Sequence, residues 1–192
     1  MDPLLLIVQI MVIGLFFLRF LIIPYIPESI REFYRQVFTD IKFEIGIWWK
    51  TIIIPIIVGI ILFLGWITIH QISFGVPATY PITENIYVYI ISSGILAPFS
   101  EEILQCFFLS LLFIFFTLVY KNRLIRFLMN VFSLIIISFI IAIYHTNPTS
   151  ISFLLRFFHF TIYGAIYHLY NRNLLPAIVT HSSWNLLLLL LL

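Results

Sequence analysis

Charge is what this sequence has least of. Only 9% of its 192 residues are charged, with ten Lys and Arg against eight Asp and Glu, while 62% are hydrophobic. Soluble domains carry about 25% charged residues, so this composition excludes a soluble globular protein, a disordered chain and a nucleic-acid-binding surface. Cysteine is nearly absent too: a lone Cys106 excludes an intramolecular disulfide and any multi-cysteine metal site. Short segments of alternating hydrophobicity are missing, which excludes an outer-membrane barrel. The net charge of +2 is too small to imply an acidic partner. What is present is long, unbroken apolar sequence with a mean hydropathy of +1.14. The fold class these features predict is all-α, a polytopic transmembrane helical bundle in the lipid bilayer.

About six spans of about 20 residues fit the chain. Residues 3–24 form an apolar run with no Lys or Arg before it, too long for the core of a signal peptide, and are expected to stay as a first span. Residues 28–44 hold seven formal charges with apolar residues at helical spacing, the pattern of an amphipathic helix at the interface. A second span is expected over 48–70, then a polar loop over 71–84. Residues 85–120 are apolar except around Ala97–Glu102. There Pro98 predicts a break, with a short helix of about 12 residues ahead of it and a full helix capped by Ser100 behind. Further spans are expected over 127–144, 150–170 and from the Asn171-Arg172-Asn173 turn to Leu192. No repeat and no second domain is visible, so residues 1–192 read as one membrane domain.

If residues 85–120 cross once, the loops on one side hold Arg31, Arg35, Lys42, Lys50, Lys121, Arg123, Arg126 and Arg172, and those on the other hold none. The positive-inside rule then puts both termini outside and opens a site built from the outer helix ends outward; if the short helix near 85–97 crosses separately the bias dissolves, so both facings of the site stay open.

Glu101 and Glu102 are the only acidic residues flanked by apolar helix on both sides. An ionisable residue at the centre of a span costs about 2.5–3.5 kcal/mol on insertion scales, which marks such a pair as functional, although carboxylates at a helix N-terminus also gain from the helix dipole. Adjacent helical residues point about 100° apart, so the two glutamates serve different purposes. His145 ends a span, while His181 and Asn185 lie at i and i+4 on one face of the last helix. One carboxylate, two imidazoles and an amide form a set able to activate water and to stabilise the oxyanion formed when it attacks a carbonyl.

The order of Glu101-Glu102 in APFSEEILQC, His145 in FIIAIYHTNP, and His181 and Asn185 in LLPAIVTHSSWN resembles the three motifs of the CPBP family of intramembrane endopeptidases. This family includes type II CaaX prenyl proteases and bacteriocin-processing (Abi) proteins, and the similarity covers about residues 85–192. The resemblance implies a glutamate-dependent hydrolase of a bacterial cell membrane that needs no metal or other cofactor and cuts a peptide or a membrane-protein tail. It implies Glu101 as general base with His145 beside it, His181 and Asn185 as oxyanion ligands, and Glu102 in support. Two positions depart from the pattern: Cys106 stands where the family has arginine, and Ile141 where it has phenylalanine.

Loss of that arginine leaves Glu102 without a cation, and Arg156, inside the fifth span, is the expected substitute. Arg19 is expected to snorkel to the interface, and Cys106 to be a small packing residue. His70 reads as interfacial, and His159 and His168 match no motif. Three alternatives stay open. The missing arginine suggests a catalytically silent immunity or partner-binding protein. Carboxylate plus two histidines can ligate zinc, although no HExxH occurs. Membrane carboxylates and histidines also relay protons in transporters, although no two matching halves are seen.

Overall fold

The computed structural model describes residues 3–22, 25, 27, 28, 31, 41–74, 86–146 and 148–191. Helix α1 is Pro3–Ile22. A π-helical turn, Trp49–Ile53, runs into α2, Ile54–Phe74. The single turn α3, Ile86–Tyr89, continues through a π-helical stretch, Ile90–Leu96, into α4, Ala97–Val119. Then come α5 (Arg123–His145), α6 (Ile151–Leu169) and α7 (Leu174–Leu191). No strand occurs among the described residues.

Four stretches are long and apolar enough to cross a bilayer: Trp49–Ser73, Ile90–Val119, Arg123–His145 and Leu174–Leu191. The chain is an integral membrane protein built as a helical bundle. Helices α1 and α6, of 20 and 19 residues, lie beside these, and Arg156, His159 and His168 lower the hydropathy of α6. Helix α7 packs on α2, α4, α6 and the π-helical stretch, and α4 packs on α1, α5, α6 and α7, so α4 and α7 form the centre. Burial follows the same order. Half of the apolar window of α7 is buried against 17% for the more apolar α2, whose Ile57, Ile61 and Leu64 are left for lipid.

The backbones of α2 and α7 approach closely at Gly59. A Cβ on Gly59 would lie 2.6 Å from the carbonyl oxygen of Thr180 and 2.8 Å from Cβ of Ser183, so only glycine fits. Gly59→Val is expected to cost about 1–3 kcal/mol, as overpacking does, and to lower the thermal midpoint in detergent by several degrees. Because Thr180 precedes His181, activity should fall with it. An unchanged midpoint would mean that the two helices do not cross here.

Local chemistry explains the helix ends. Asn122 caps α5, its Oδ1 accepting from the backbone N–H groups of Leu124 (2.8 Å) and Ile125 (3.4 Å), so this helix starts earlier than the apolar run alone indicates. Ser150 caps α6 by accepting from the N–H of Phe153 at 3.1 Å. Asn171 and Arg172, with φ of 53° and 62°, make the expected turn between α6 and α7.

Several expectations are corrected. Residues 71–74, expected in a loop, continue α2, while 75–84 lie outside the described residues. Most of the amphipathic segment, residues 29, 30 and 32–40, also lies outside them, but Ile41–Glu44 is not helical. It is a strap over the α6–α7 turn, with Lys42 N–H donating to the Arg172 carbonyl (2.8 Å) and Leu174 N–H to the Lys42 carbonyl (2.8 Å). Asn173 adds a bond to the Glu44 carbonyl at 2.6 Å. Arg19 does not snorkel: it is 6% exposed, its Nη2 donates to the Ile41 carbonyl at 2.9 Å, and its guanidinium lies 3.8 Å from the Phe16 ring centroid. The strap brings a backbone acceptor to the end of α1, which offsets part of the cost of burying the cation.

The helix also runs through Pro98 without a break, and Ser100 is no cap, since its Oγ donates back to the Ala97 carbonyl at 3.0 Å. The wider π pitch ahead of Pro98 relieves the clash of its ring with the preceding turn. At that pitch an N–H at position 98 would serve the carbonyl of Ser93, and proline has none. Asn185 of α7 supplies the bond instead, Nδ2 donating to Ser93 O at 2.7 Å.

Candidate active site

The first turn after Pro98 presents the two glutamates on different faces. The Glu101 side chain is 26% exposed and that of Glu102 is 0% exposed, so only the first reaches open space. Glu101 stands between two imidazoles, with Oε1 at 3.2 Å from Nε2 of His145 and Oε2 at 3.8 Å from Nε2 of His181. His145 comes from the end of α5 and His181 from the middle of α7, so three helices meet at one carboxylate.

Protons in this set are constrained by its backbone partner. Nδ1 of His145 lies 2.8 Å from the carbonyl oxygen of Ile141, which only accepts, so Nδ1 carries a hydrogen. The short contact between Nε2 and Glu101 then needs one more proton, on the ring or on the carboxyl. Glu101 and His145 therefore hold a proton between them. This anchor is the backbone carbonyl of residue 141, so the bond to His145 does not depend on which side chain stands there.

His181 is held on its other side by Glu102, with Nδ1 to Oε1 at 2.9 Å. Its ring stacks on Tyr163 (4.5 Å between centroids, 18°) and meets Phe160 edge-on at 5.8 Å. Phe160 also touches the ring of His145, at 5.1 Å, and so separates the two imidazoles. Gln105, one turn beyond Glu101, fixes α6 in this position by donating from Nε2 to the Phe160 carbonyl at 2.7 Å. Gly164 makes room for it, since a Cβ there would lie 2.8 Å from Nε2 of Gln105.

Of the five residues singled out in the sequence, Glu101, Glu102, His145 and His181 form one contiguous chain. Asn185 lies on the same helix as His181 but gives its amide to Ser93 O. The expected pair of Arg156 with Glu102 is not formed. Glu102 Oε1 is taken by His181, its Oε2 is buried without a hydrogen bond, and Arg156 lies over the Trp184 ring at 4.9 Å. Rotation of α6 turns Phe160 and Tyr163 toward the glutamates and Arg156 toward α7. Cys106 is fully buried, and His159 packs edge-on against Trp184 at 4.8 Å and beside Tyr163, 6.2 Å between ring centroids. Phe160, Tyr163 and Gln105 do not stand out in the sequence, where aromatic and polar residues of α6 and α4 carry no distinguishing spacing.

Glu101 and His145 lie on the wall of a cavity of about 460 Å³ between α1, α4 and α5. Its other walls are mostly apolar, and Val8, Leu104, Phe108, Ile140 and Tyr144 are exposed on the outer surface of the bundle, so the cavity opens sideways toward lipid. Gln9 of α1 lines it too. Among the described residues no three His, Cys, Asp or Glu side chains are placed to hold a metal ion.

A family model described as type II CAAX prenyl endopeptidase, Rce1-like, matches residues 83–187, more than half of the chain and every residue of the glutamate and histidine set. The chain belongs to the Rce1-like family. No curated protein and no solved structure matches it. The Rce1-like match starts ahead of α3 and ends within α7, so α1, which supplies one wall of the cavity, lies outside it.

Proposed function

We propose that this Rce1-like chain is an intramembrane, glutamate-dependent endopeptidase that cuts a peptide or a membrane-protein tail by activated water. The observation that carries this reading is Glu101 held between two Nε2 atoms, at 3.2 and 3.8 Å, on the wall of a cavity open to lipid. Family membership supports a CAAX-type endopeptidase in general terms.

In this reading a water molecule enters beside Glu101, and the carboxylate takes its proton as the oxygen attacks the scissile carbonyl. His145, whose Nδ1–H is anchored on Ile141 O, orients the carboxylate and shares the proton. The carbonyl oxygen gathers negative charge, which His181 Nε2–H and the second N–H of Asn185 stabilise. Collapse of the tetrahedral intermediate breaks the C–N bond, and the proton held by Glu101 and His145 goes to the leaving amine. Glu102 is a positioning residue that holds His181.

The test is cleavage of a diverse peptide library by the detergent-purified chain, read by mass spectrometry, with chelator and with His145→Ala in parallel. The expected result is cleavage that survives chelator and falls about 10²- to 10⁴-fold in the variant. Cleavage lost to chelator and restored by zinc would overturn metal independence. A second reading draws on the unpartnered Oε2 of Glu102 beside Cys106, where the family's arginine would sit: a silent partner-binding protein. Peptide binding without turnover, unchanged by Glu101→Gln, would favour it.

A further inference from the structure

Gln9 takes no part in the chemistry above and lies outside the family match. It is a single amide within the apolar run LLLIVQIMVIG of α1. The residues around it face outward: Ile7, Val8, Ile10 and Met11 are between 46% and 58% exposed, whereas Gln9 is 6% exposed. Helix α1 thus turns Gln9 into the protein, beside Val12 and Ile13, while its immediate neighbours face outward.

That side chain is packed into the protein without a polar partner among the described residues. Oε1 of Gln9 is buried with no hydrogen-bond partner, and among the described residues Gln9 makes no hydrogen bond. Buried amides are almost always satisfied, because leaving one unpaired forfeits its interaction with water for no return. Of the other polar groups on the cavity wall, Ser100 donates to the Ala97 carbonyl, Glu101 meets His145 through Oε1, and Tyr144 stands at the surface, 83% exposed. Gln9 is therefore the buried amide of this cavity, its oxygen without a partner.

A carboxamide offers one acceptor and two donors. A lipid chain supplies no partner for either, and a neutral amide holds an ion weakly. An extended peptide backbone supplies both, a C=O and an N–H along one edge. Resting on the endopeptidase reading, we infer that Gln9 binds the substrate backbone in this cavity and fixes the register of the peptide over Glu101. Helix α1 then contributes to substrate selection from outside the family's matched segment.

The probe is a panel of dansylated octapeptides of Ala, Leu, Val and Phe, with copies in which each backbone amide in turn is replaced by an ester. Binding is measured on the full chain carrying Glu101→Gln, and cleavage on the wild type. Gln9→Leu, which keeps size but no bonding groups, is expected to weaken binding about three- to tenfold and to raise KM by a similar factor while kcat changes less. One ester position should weaken binding to the glutamine chain and have no further effect on the leucine variant. Gln9→Asn, a shorter amide, should recover part of the loss at that same position. Binding unchanged by Gln9→Leu, or an equal loss across every ester copy, would overturn the inference. Gln9-dependent binding without any cleavage by the wild type would uphold it and overturn the peptidase reading instead.

Discussion

Replacing Glu101 by glutamine should lower peptide hydrolysis about 10³- to 10⁴-fold and leave peptide binding and the thermal midpoint close to those of the wild type. The substitution keeps shape and removes only the ability to take a proton. His145 explains why the site should stay assembled. With its Nδ1–H fixed on Ile141 O at 2.8 Å, its Nε2 is free to accept from a carboxamide at position 101 where it now shares a proton with the carboxylate. The geometry survives and the base does not. A general base alone is worth about 10²–10⁴ in rate, and here the same group also returns the proton to the leaving amine, so the upper part of that range applies. The check is initial rates on the peptides the wild type cuts, with melting curves on both proteins. Activity within tenfold of wild type would remove Glu101 from the chemistry.

How much of this is legible in the sequence differs from residue to residue. Glu101, Glu102, His145, His181 and Asn185 stand out because each is polar inside apolar sequence, and the cost of burying such groups singles them out from residue order alone. Which of them meet is a matter of helix rotation, and sequence periodicity does not supply it. Arg156 looks like a partner for Glu102 because both are unpaired within their own helices. The rotation of α6 sends Arg156 to Trp184 and gives Glu102 to His181.

Pro98 shows a local rule that is right in its premise and wrong in its consequence. The missing N–H is real, but a π-helical stretch and an amide from another helix absorb it, so the helix continues. Both compensations depend on residues far away in sequence, Asn185 above all. Arg19 departs from expectation for a similar reason, since the acceptor that buries it lies 22 residues away on the strap. Gln9 is legible in principle, as the one amide in an apolar helix, but one amide among twenty residues carries little weight until its surroundings are seen.

The second large effect is expected at His181 and Glu102, and it turns on where one hydrogen sits. His181 stabilises an oxyanion only if Nε2 carries a hydrogen. Nδ1 then either accepts from a protonated Glu102 or, in the doubly protonated ring, donates to an ionised one; the 2.9 Å contact serves both, and both hold the same number of protons. Without a partner in that fully buried slot, Nδ1 has no reason to leave the hydrogen on Nε2. Glu102→Leu should therefore cost about 10²–10³ in kcat, as loss of an oxyanion ligand does. Glu102→Gln should stay within about tenfold of wild type, because its N–H donates to Nδ1 and keeps the hydrogen on Nε2. His181→Phe, which fills the place between Tyr163 and Phe160 with a ring that has no donor, should match the leucine variant. Because the two residues act through one hydrogen, the double variant should be no worse than His181→Phe alone. Additive losses, or a glutamine variant as poor as leucine, would mean that Glu102 contributes its charge and not its hydrogen bond.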